Sequence, residues 1–207
     1  MTTVGKTEER AGLPIIAFAD ADALDRWMAA QPADCPGAWI KFAKAASGIA
    51  SVSKSEAIDV ALCHGWIDGQ LDKYDGDYWL IRFTPRKARS KWSQVNRARA
   101  TELAEAGRMR AGGLRQMEAA KADGRWDAAY APASKASVPD DLQAALDQNP
   151  AAAAFFATLT GANRYAVLYR IGAVKKPETR ARKIAEFVAM LERSEAPSAE
   201  KTARSAT

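Results

Sequence analysis

Short segments that are apolar, or that alternate apolar and polar residues, occupy the first half of the chain and are typical of β-strands. The predicted strands are Leu13 to Phe18, Ala38 to Lys44, Trp66 to Tyr74 and Asp77 to Phe83. Asp75 and Gly76 separate the last two, and this pair favours a type I′ turn, whose two central residues need positive φ. Large apolar side chains point to both faces of the last strand, so the pattern predicts that it is either central in a sheet or covered by helices on both sides.

Apolar residues three and four positions apart predict helices between and after these strands. Asp20 is suited to cap the first helix, and Ser53 with Glu56 forms a capping box for the second. Gly65 then supplies the left-handed residue that ends the second helix. Further helices are predicted at Ser90 to Gly107, before Gly124, at Asp140 to Asp147, from Pro150, at Gly161 to Gly172 and at Pro177 to Arg193.

The predicted fold class is α+β, with a small, mainly antiparallel sheet and helices in the N-terminal half and an all-helical C-terminal half. A stretch rich in Pro, Ser and Ala separates the two halves and is typical of a linker. The predicted organisation is a disordered arm at 1–12, an α+β domain at 13–130, a linker loop at 131–139, a C-terminal helical subdomain packed on that domain at 140–193, and a disordered tail at 194–207.

The composition agrees with a globular protein, since 48% of the 207 residues are hydrophobic and 27% are charged. The formal net charge of +5 fits an anionic partner, although many proteins without one are equally basic. Cys35 and Cys63 are too few for a disulfide framework, and neither lies in a CxxC pair. The chain has 1 His, so it lacks the usual ligands of a closed zinc site, and the sequence indicates no metal and no cofactor.

The N-terminal segment MTTVGKTEERAG is polar and has no apolar stretch of the kind that a secretory signal requires. No window approaches the roughly 18 apolar residues that a membrane-spanning helix needs. We therefore expect a cytoplasmic protein without a membrane span. The pattern points to no particular oligomeric state.

The densest run of positive charge follows the central strand, and no Asp or Glu lies between Leu80 and Thr101. The candidate binding residues in this run are Thr84, Arg86, Lys87, Arg89, Lys91 and Trp92. They lie where a strand is predicted to pass into a helix, whose N-terminal N–H groups add to the positive potential. Such a junction attracts phosphate, a nucleic-acid backbone or a carboxylate ligand. The alternative interpretation is a solvated basic loop.

Two further candidates precede the basic run, and each has a structural interpretation beside the functional one. His64 lies at the predicted end of a helix, where it either binds an acid or is a packed, hydrogen-bonded ring. Trp66, Asp68 and Arg82 either line a small pocket or belong to the core. In the second case Arg82 is half-buried and needs a carboxylate partner, for which Asp68 or Asp72 is available across the hairpin.

Five segments together resemble the bacterial YdeI/OmpD-associated family, whose members are also called bacteriocin-protection or OmdA-like proteins. They are ALCHGWIDGQ (Ala61 to Gln70), RFTPRKARSKWSQVN (Arg82 to Asn96), AGRMRAGGL (Ala106 to Leu114), AAKADGRWDAAY (Ala119 to Tyr130) and KKPETRARKI (Lys175 to Ile184). The resemblance covers roughly Leu13 to Arg193, and none of these segments is by itself a known catalytic signature. Many members carry Phe or Tyr at the position of His64, so the resemblance implies no obligatory catalytic His.

The resemblance implies protection against bacteriocins or cationic antimicrobial peptides, in association with an outer-membrane porin. Some descriptions of the family place it in the periplasm. This chain departs from that location because its sequence shows no secretory signal.

Three functions are compatible with these observations. The sequence favours a non-enzymatic stress or resistance factor that binds an anionic small molecule or an acidic protein partner through the basic run. A nucleic-acid-binding protein uses the same cations and predicts a steep salt dependence, although the recognised motifs are missing. An enzyme requires His64, Asp68 and Arg82 to converge in a cleft, and the chain has no P-loop, GxSxG, HExxH or GxGxxG sequence to support it.

Overall fold

The computed structural model describes residues 8–132 and 135–197, and the chain divides into two units. The first unit comprises the described residues up to Trp92 together with Asn96–Ala128. The second comprises Ser93–Val95 and the described residues from Ala129 onwards. The predicted fold class is confirmed, because a sheet with helices occupies the N-terminal half and the stretch from 140 to 192 is helical.

Five strands form one open sheet in the order β1-β2-β3-β5-β4. They are β1 (Glu9–Arg10), β2 (Leu13–Ala17), β3 (Ala38–Ala43), β4 (Trp66–Lys73) and β5 (Tyr78–Pro85). Only the pair β2 and β3 is parallel; the other three pairings are antiparallel, as the sequence predicts. The strand β5 lies between β3 and β4, so it occupies the central position that is one of the two arrangements its large apolar side chains predict.

The helices fall close to the segments that the apolar periodicity predicts. They are α1 (Ala21–Ala29), α2 (Lys54–His64), α3 (Gln94–Glu105), α4 (Ala111–Ala122), α5 (Asp140–Asp147), α6 (Pro150–Thr158), α7 (Gly161–Gly172) and α8 (Pro177–Glu192), with a short 3₁₀ helix at Ala45–Ser47. Asp20 caps α1 by accepting a hydrogen bond from the N–H of Ala23 at 2.7 Å. Both bonds of the capping box between Ser53 and Glu56 are present, and Gly65 ends α2 with φ of 79°.

One face of the sheet packs against α1 and α2 and forms the core of the first unit. Its members include Leu24, Met28, Val60, Ile40, Phe42, Ile81 and Phe83. Phe42 stacks on Trp79 with ring centroids 4.9 Å apart. Burial of each such side chain contributes about 1.5–3 kcal/mol. A separate core in the second unit joins α5, α6, α7 and α8.

The chain before β2 differs from the disordered arm that we predict over 1–12. Residues 1–7 lie outside the described part of the structure, but Glu9–Arg10 pairs with β2. Ala11 and Gly12 connect these strands with φ of 51° and 74°. Arg10 is held because its guanidinium donates to Asp72 at 2.6 Å and its carbonyl accepts from Trp39 Nε1 at 3.0 Å. In the predicted tail, residues 198–207 also lie outside the described part.

The turn between β4 and β5 differs from the predicted type I′ turn. Neither Asp75 nor Gly76 has positive φ. Instead, the carboxylate of Asp75 accepts hydrogen bonds from the N–H groups of Asp77 at 2.8 Å and Tyr78 at 2.7 Å. The side chain of Asp thus replaces the backbone geometry that a two-residue turn requires. Two consecutive residues with positive φ occur instead at Ala11–Gly12, a position for which we predict no hairpin.

Candidate functional site: a basic loop held by Arg86 and Trp92

The candidate binding residues after β5 lie in a loop, residues 86–92, that we call the basic loop. Hydrogen bonds hold the loop backbone at Arg86 and across the turn from Lys87 to Ser90. The N–H of Arg86 donates to Gly65 O at 2.9 Å, and the carbonyl of Arg86 accepts from Gln116 Nε2 at 3.3 Å. The N–H of Lys87 donates to Ser90 Oγ at 2.9 Å, and the N–H of Ser90 donates to Lys87 O at 2.9 Å. These bonds fix the loop without any bound ligand.

Arg86 and Trp92 are the internal supports of the basic loop. The side chain of Arg86 is 5% exposed, and its guanidinium carbon lies 3.8 Å from the centroid of the Trp92 ring. Its Nη1 also donates to the carbonyl of Lys91 at 3.2 Å. Trp92 is 1% exposed and makes an edge contact with Trp126, with centroids 4.8 Å apart. A cation over a desolvated indole contributes about 1–2 kcal/mol. Of the predicted binding residues in the basic loop, these two are therefore buried.

Three cations of the basic loop are exposed: Lys87, Arg89 and Lys91. Arg125 supports the loop by donating from Nη1 to the carbonyl of Ser90 at 2.9 Å. Lys121 adds a further positive charge, since its Nζ lies 5.4 Å from the Trp126 ring centroid. The loop itself contains no carboxylate. Several like charges on a fixed surface create a positive potential that attracts anions.

The helix that follows the basic loop begins later than predicted. Helix α3 starts at Gln94, and the hydroxyl of Ser90 accepts from the N–H of Lys87 rather than from a helix terminus. Ser is suited to both roles, because it bonds nearby backbone N–H groups in turns and at helix caps alike. The first turn of α3 therefore follows Trp92 instead of adjoining Lys87 and Arg89.

Trp66, Asp68 and Arg82 do not form the pairings that the sequence suggests. Trp66 is 5% exposed and packs edge-on against Trp27 at 5.8 Å, so it is a core residue. The Nε of Arg82 is buried and makes no hydrogen bond to any residue in the described ranges. Asp72 bonds Arg10 instead. Arg82 forms no ion pair with Asp68 or with any other residue in the described ranges, so the prediction that Asp68 or Asp72 partners Arg82 is wrong.

Thr84 lies on β5 opposite Ile67 of β4, close to the backbone of Gly37. A Cβ atom at position 37 would lie 2.8 Å from Thr84 Cγ2. Gly37 also has φ of 111°, a conformation that disfavours other residues. The half-buried Thr84 side chain is thus packed against the segment before β3.

His64 belongs to a network of ionisable groups that the sequence does not reveal. Its Nε2 lies 2.8 Å from Asp25 Oδ1, and Arg110 donates to Asp25 Oδ2 at 3.0 Å. Burial raises the pKa of Asp25, but the hydrogen bonds of His64 and Arg110 outweigh it and hold that pKa below its usual value. The three residues come from α2, α1 and the N-cap of α4. His64 is thus bonded to Asp25 rather than to Asp68, the partner in the predicted cleft.

We expect Asp25→Asn to lower the free energy of unfolding by roughly 1–2 kcal/mol at pH 7, because it weakens two hydrogen bonds to a carboxylate. The folded pKa of Asp25 is depressed, so its contribution is present above the unfolded pKa of about 3.9 and is lost as the pH falls through the folded value. Urea denaturation at pH 7 and pH 3 measures this, with the exposed Asp34→Asn as control. An equal deficit at both pH values would contradict the charge argument.

The other features of the described residues that bear on function are their thiols, their metal-ligating side chains and the lengths of their helices. Cys35 and Cys63 are free thiols, and burial raises the pKa of Cys63. Within 8–132 and 135–197, no group of three or more His, Cys, Asp and Glu side chains is placed to hold a metal ion. No helix of the described chain is both long enough and apolar enough to cross a membrane.

Comparison with known proteins matches two separate parts of the chain to two different families. Residues 16–116, which include the basic loop, match the model of a family described as a domain of unknown function (DUF8412). Residues 135–194, which include α5 to α8, match the model of the family described as "Bacteriocin-protection, YdeI or OmpD-Associated". No curated protein and no solved structure matches the chain.

The fold and the second match define an α+β protein whose helical C-terminal segment has the OmdA-type sequence. Residues 135–194 are similar to the YdeI/OmpD-associated family, and the resemblance predicted from the sequence is confirmed over that segment. The same resemblance was expected to extend back to Leu13, whereas the N-terminal part matches a different family.

Proposed function

We propose that this YdeI/OmpD-associated-like protein is a non-enzymatic stress or resistance factor that binds an anionic small molecule or an acidic protein partner through the basic loop. The observation that carries the proposal is the exposure of Lys87, Arg89 and Lys91 on a loop whose backbone is fixed by Arg86. The family description adds bacteriocin protection as the biological setting.

The buried contacts of Arg86 support this function because they order the loop before any ligand arrives. An ordered loop loses less conformational entropy on binding than a mobile one. The exposed cations increase the rate of encounter with an anion, and this effect weakens as salt screens the charges.

We expect the triple variant Lys87→Ala, Arg89→Ala and Lys91→Ala to bind fluorescent poly-L-glutamate at least about tenfold more weakly at low salt. Three contacts of roughly 0.5 kcal/mol each give a tenfold change. Anisotropy titrations at several salt concentrations measure the affinity, and the salt dependence should be shallower in the variant. The variant should also fail to restore peptide resistance to a strain that lacks the protein.

The matched control removes three exposed cations elsewhere in the first unit, through Arg26→Ala, Lys54→Ala and Lys73→Ala. Both triple variants have the same net charge, so net charge alone predicts equal effects. Equal affinities for poly-L-glutamate would refute the assignment to the basic loop.

Binding of single-stranded DNA, measured in the same assay, distinguishes the nucleic-acid function from binding of an acidic protein or a small molecule. Proteins that bind single strands usually stack bases on exposed aromatic rings. Trp92, the aromatic residue within the loop, is buried against Arg86. Binding of DNA that is tighter than that of poly-L-glutamate at equal charge would favour the nucleic-acid function.

A further inference from the structure

A groove in the second unit is independent of the basic loop. It has a volume of about 710 Å³, which lies in the range of about 300–1,000 Å³ that is usual for small-molecule sites. All of its lining residues lie between Asp141 and Glu192, within the segment that matches the YdeI/OmpD-associated family. The groove follows α8, which has 16 residues and is therefore about 24 Å long.

Along α8 the groove is lined mainly by apolar and small residues, while Gln148 and Asn149 add polar groups from outside that helix. In this lining, Ile184 is buried and Val188 is half-buried. Ala181, Ala185 and Ala189 follow one another at intervals of four, so they share one face of α8. All three are exposed, and a larger side chain at any of them would project into the groove. The result is an apolar surface that follows α8 from Ala181 to Ala189.

One end of the groove carries a closed ion pair and an additional cation. Arg180 donates from Nε and Nη2 to the two carboxylate oxygens of Asp141, at 2.5 and 2.9 Å, and from Nη1 to Ile171 O at 2.8 Å. This pair neutralises itself. Lys175 also lines the groove, is exposed and forms no ion pair with any residue in the described ranges. Glu192 lines the groove at the C-terminal end of α8.

We propose that this groove binds a long-chain fatty acid, with its alkyl chain along the apolar residues of α8 and its carboxylate at Lys175. The charges fit one orientation, because Lys175 attracts the carboxylate and Glu192 disfavours it at the opposite end. Ala181, Ala185 and Ala189 extend over about 12 Å of α8, and a stretch of this length fits a single extended alkyl chain. Ala185 and Val188 line the groove midway along α8, where they contact the alkyl chain and offer it no polar group.

Isothermal titration calorimetry on the full chain with octanoate, decanoate and dodecanoate, each below its micellar concentration, tests this. We expect 1:1 binding whose affinity rises two- to fourfold with each added methylene, as partial burial of each group predicts. Decanol should bind about tenfold more weakly than decanoate, and decyltrimethylammonium more weakly still.

Two variants separate the contributions of shape and charge. Ala185→Trp fills the groove and should weaken binding of decanoate and decanol at least tenfold. Lys175→Glu should weaken decanoate about tenfold and leave decanol unchanged. Arg182→Glu makes the same charge change at an exposed position on α8 outside the groove, and it should leave both affinities unaltered. Thermal unfolding of each variant verifies folding, and Ala181→Leu replaces Ala185→Trp if the latter unfolds.

Three results would overturn the proposal. The first is the absence of saturable binding of dodecanoate. The second is binding that Ala185→Trp does not change. The third is a dimer, detected by light scattering, that Ala185→Trp converts to a monomer, since a second copy would then occupy the groove. The variant without Lys87, Arg89 and Lys91 should retain fatty-acid binding, so this outcome is independent of the basic loop.

Discussion

Trp92→Ala should lower the free energy of unfolding of the first unit by about 3–5 kcal/mol, the usual loss when a buried large aromatic side chain is truncated. Trp92 is 1% exposed and supports both Arg86 and Trp126. Its removal leaves the Arg86 guanidinium without the ring that it covers. Urea denaturation followed by circular dichroism measures the loss. Binding of poly-L-glutamate should also weaken under conditions where the variant is folded, although Lys87, Arg89 and Lys91 are unchanged.

Trp92→Phe provides the matched comparison, because it keeps an aromatic ring beneath Arg86. The Nε1 of Trp92 has no hydrogen-bond partner among the described residues, so removing its N–H leaves no acceptor unpaired. We expect a loss of only roughly 1–2 kcal/mol from the smaller ring, and nearly unchanged binding of poly-L-glutamate. If Phe is as damaging as Ala, the support of the loop does not come from the aromatic face.

Gly113→Ala should destabilise the first unit by about 2–3 kcal/mol, because α4 begins in direct contact with the end of α2. A Cβ atom at position 113 would lie 2.6 Å from Leu62 O and 2.6 Å from Met109 Cε, and closer still to Cys63 O. The two carbonyls belong to the α2 backbone, so they cannot move aside without shifting that helix. Since Gln116 of α4 also holds the carbonyl of Arg86, the basic loop should move with α4.

Gly172→Ala is the control for this substitution. Gly172 ends α7, has no positive φ, and a Cβ atom there meets nothing within 4 Å. Ala favours a helix over Gly by about 0.5–1 kcal/mol, so this variant should be slightly more stable than the original. Thermal unfolding of both variants should therefore give shifts of opposite sign. A stabilising effect of Gly113→Ala would show that the two helices are not in close contact.

The candidate site was only partly predictable from the sequence. Its position was found because an acid-free basic run beside Trp92 is visible in the chain itself. Which members of the run face solvent was not visible, since Arg86 and Lys87 are adjacent and chemically alike. Asp25 and Arg110 were missed for another reason: they lie 39 residues before and 46 residues after His64, and no local pattern marks them as its neighbours.

The fold was more predictable where local interactions decide it. The caps at Asp20 and Ser53 and the left-handed Gly65 follow from bonds within a few residues. The turn at Asp75 was predicted wrongly because Asp and Gly suit several turn types, and the Asp side chain selects among them by its own hydrogen bonds.

The sequence by itself determined the α+β class, the helical second half, most element bounds and the location of the positive charge. These depend on periodicity, capping and composition, which are properties of neighbouring residues. Only the tertiary structure decided that Arg86 is buried on Trp92, that His64 joins Asp25 and that a groove opens beside α8. Each of these depends on which distant surfaces pack together. Close packing of side chains requires surfaces that are distant in the sequence to meet. A buried cation such as Arg86 is likewise stable only where the fold supplies its partners.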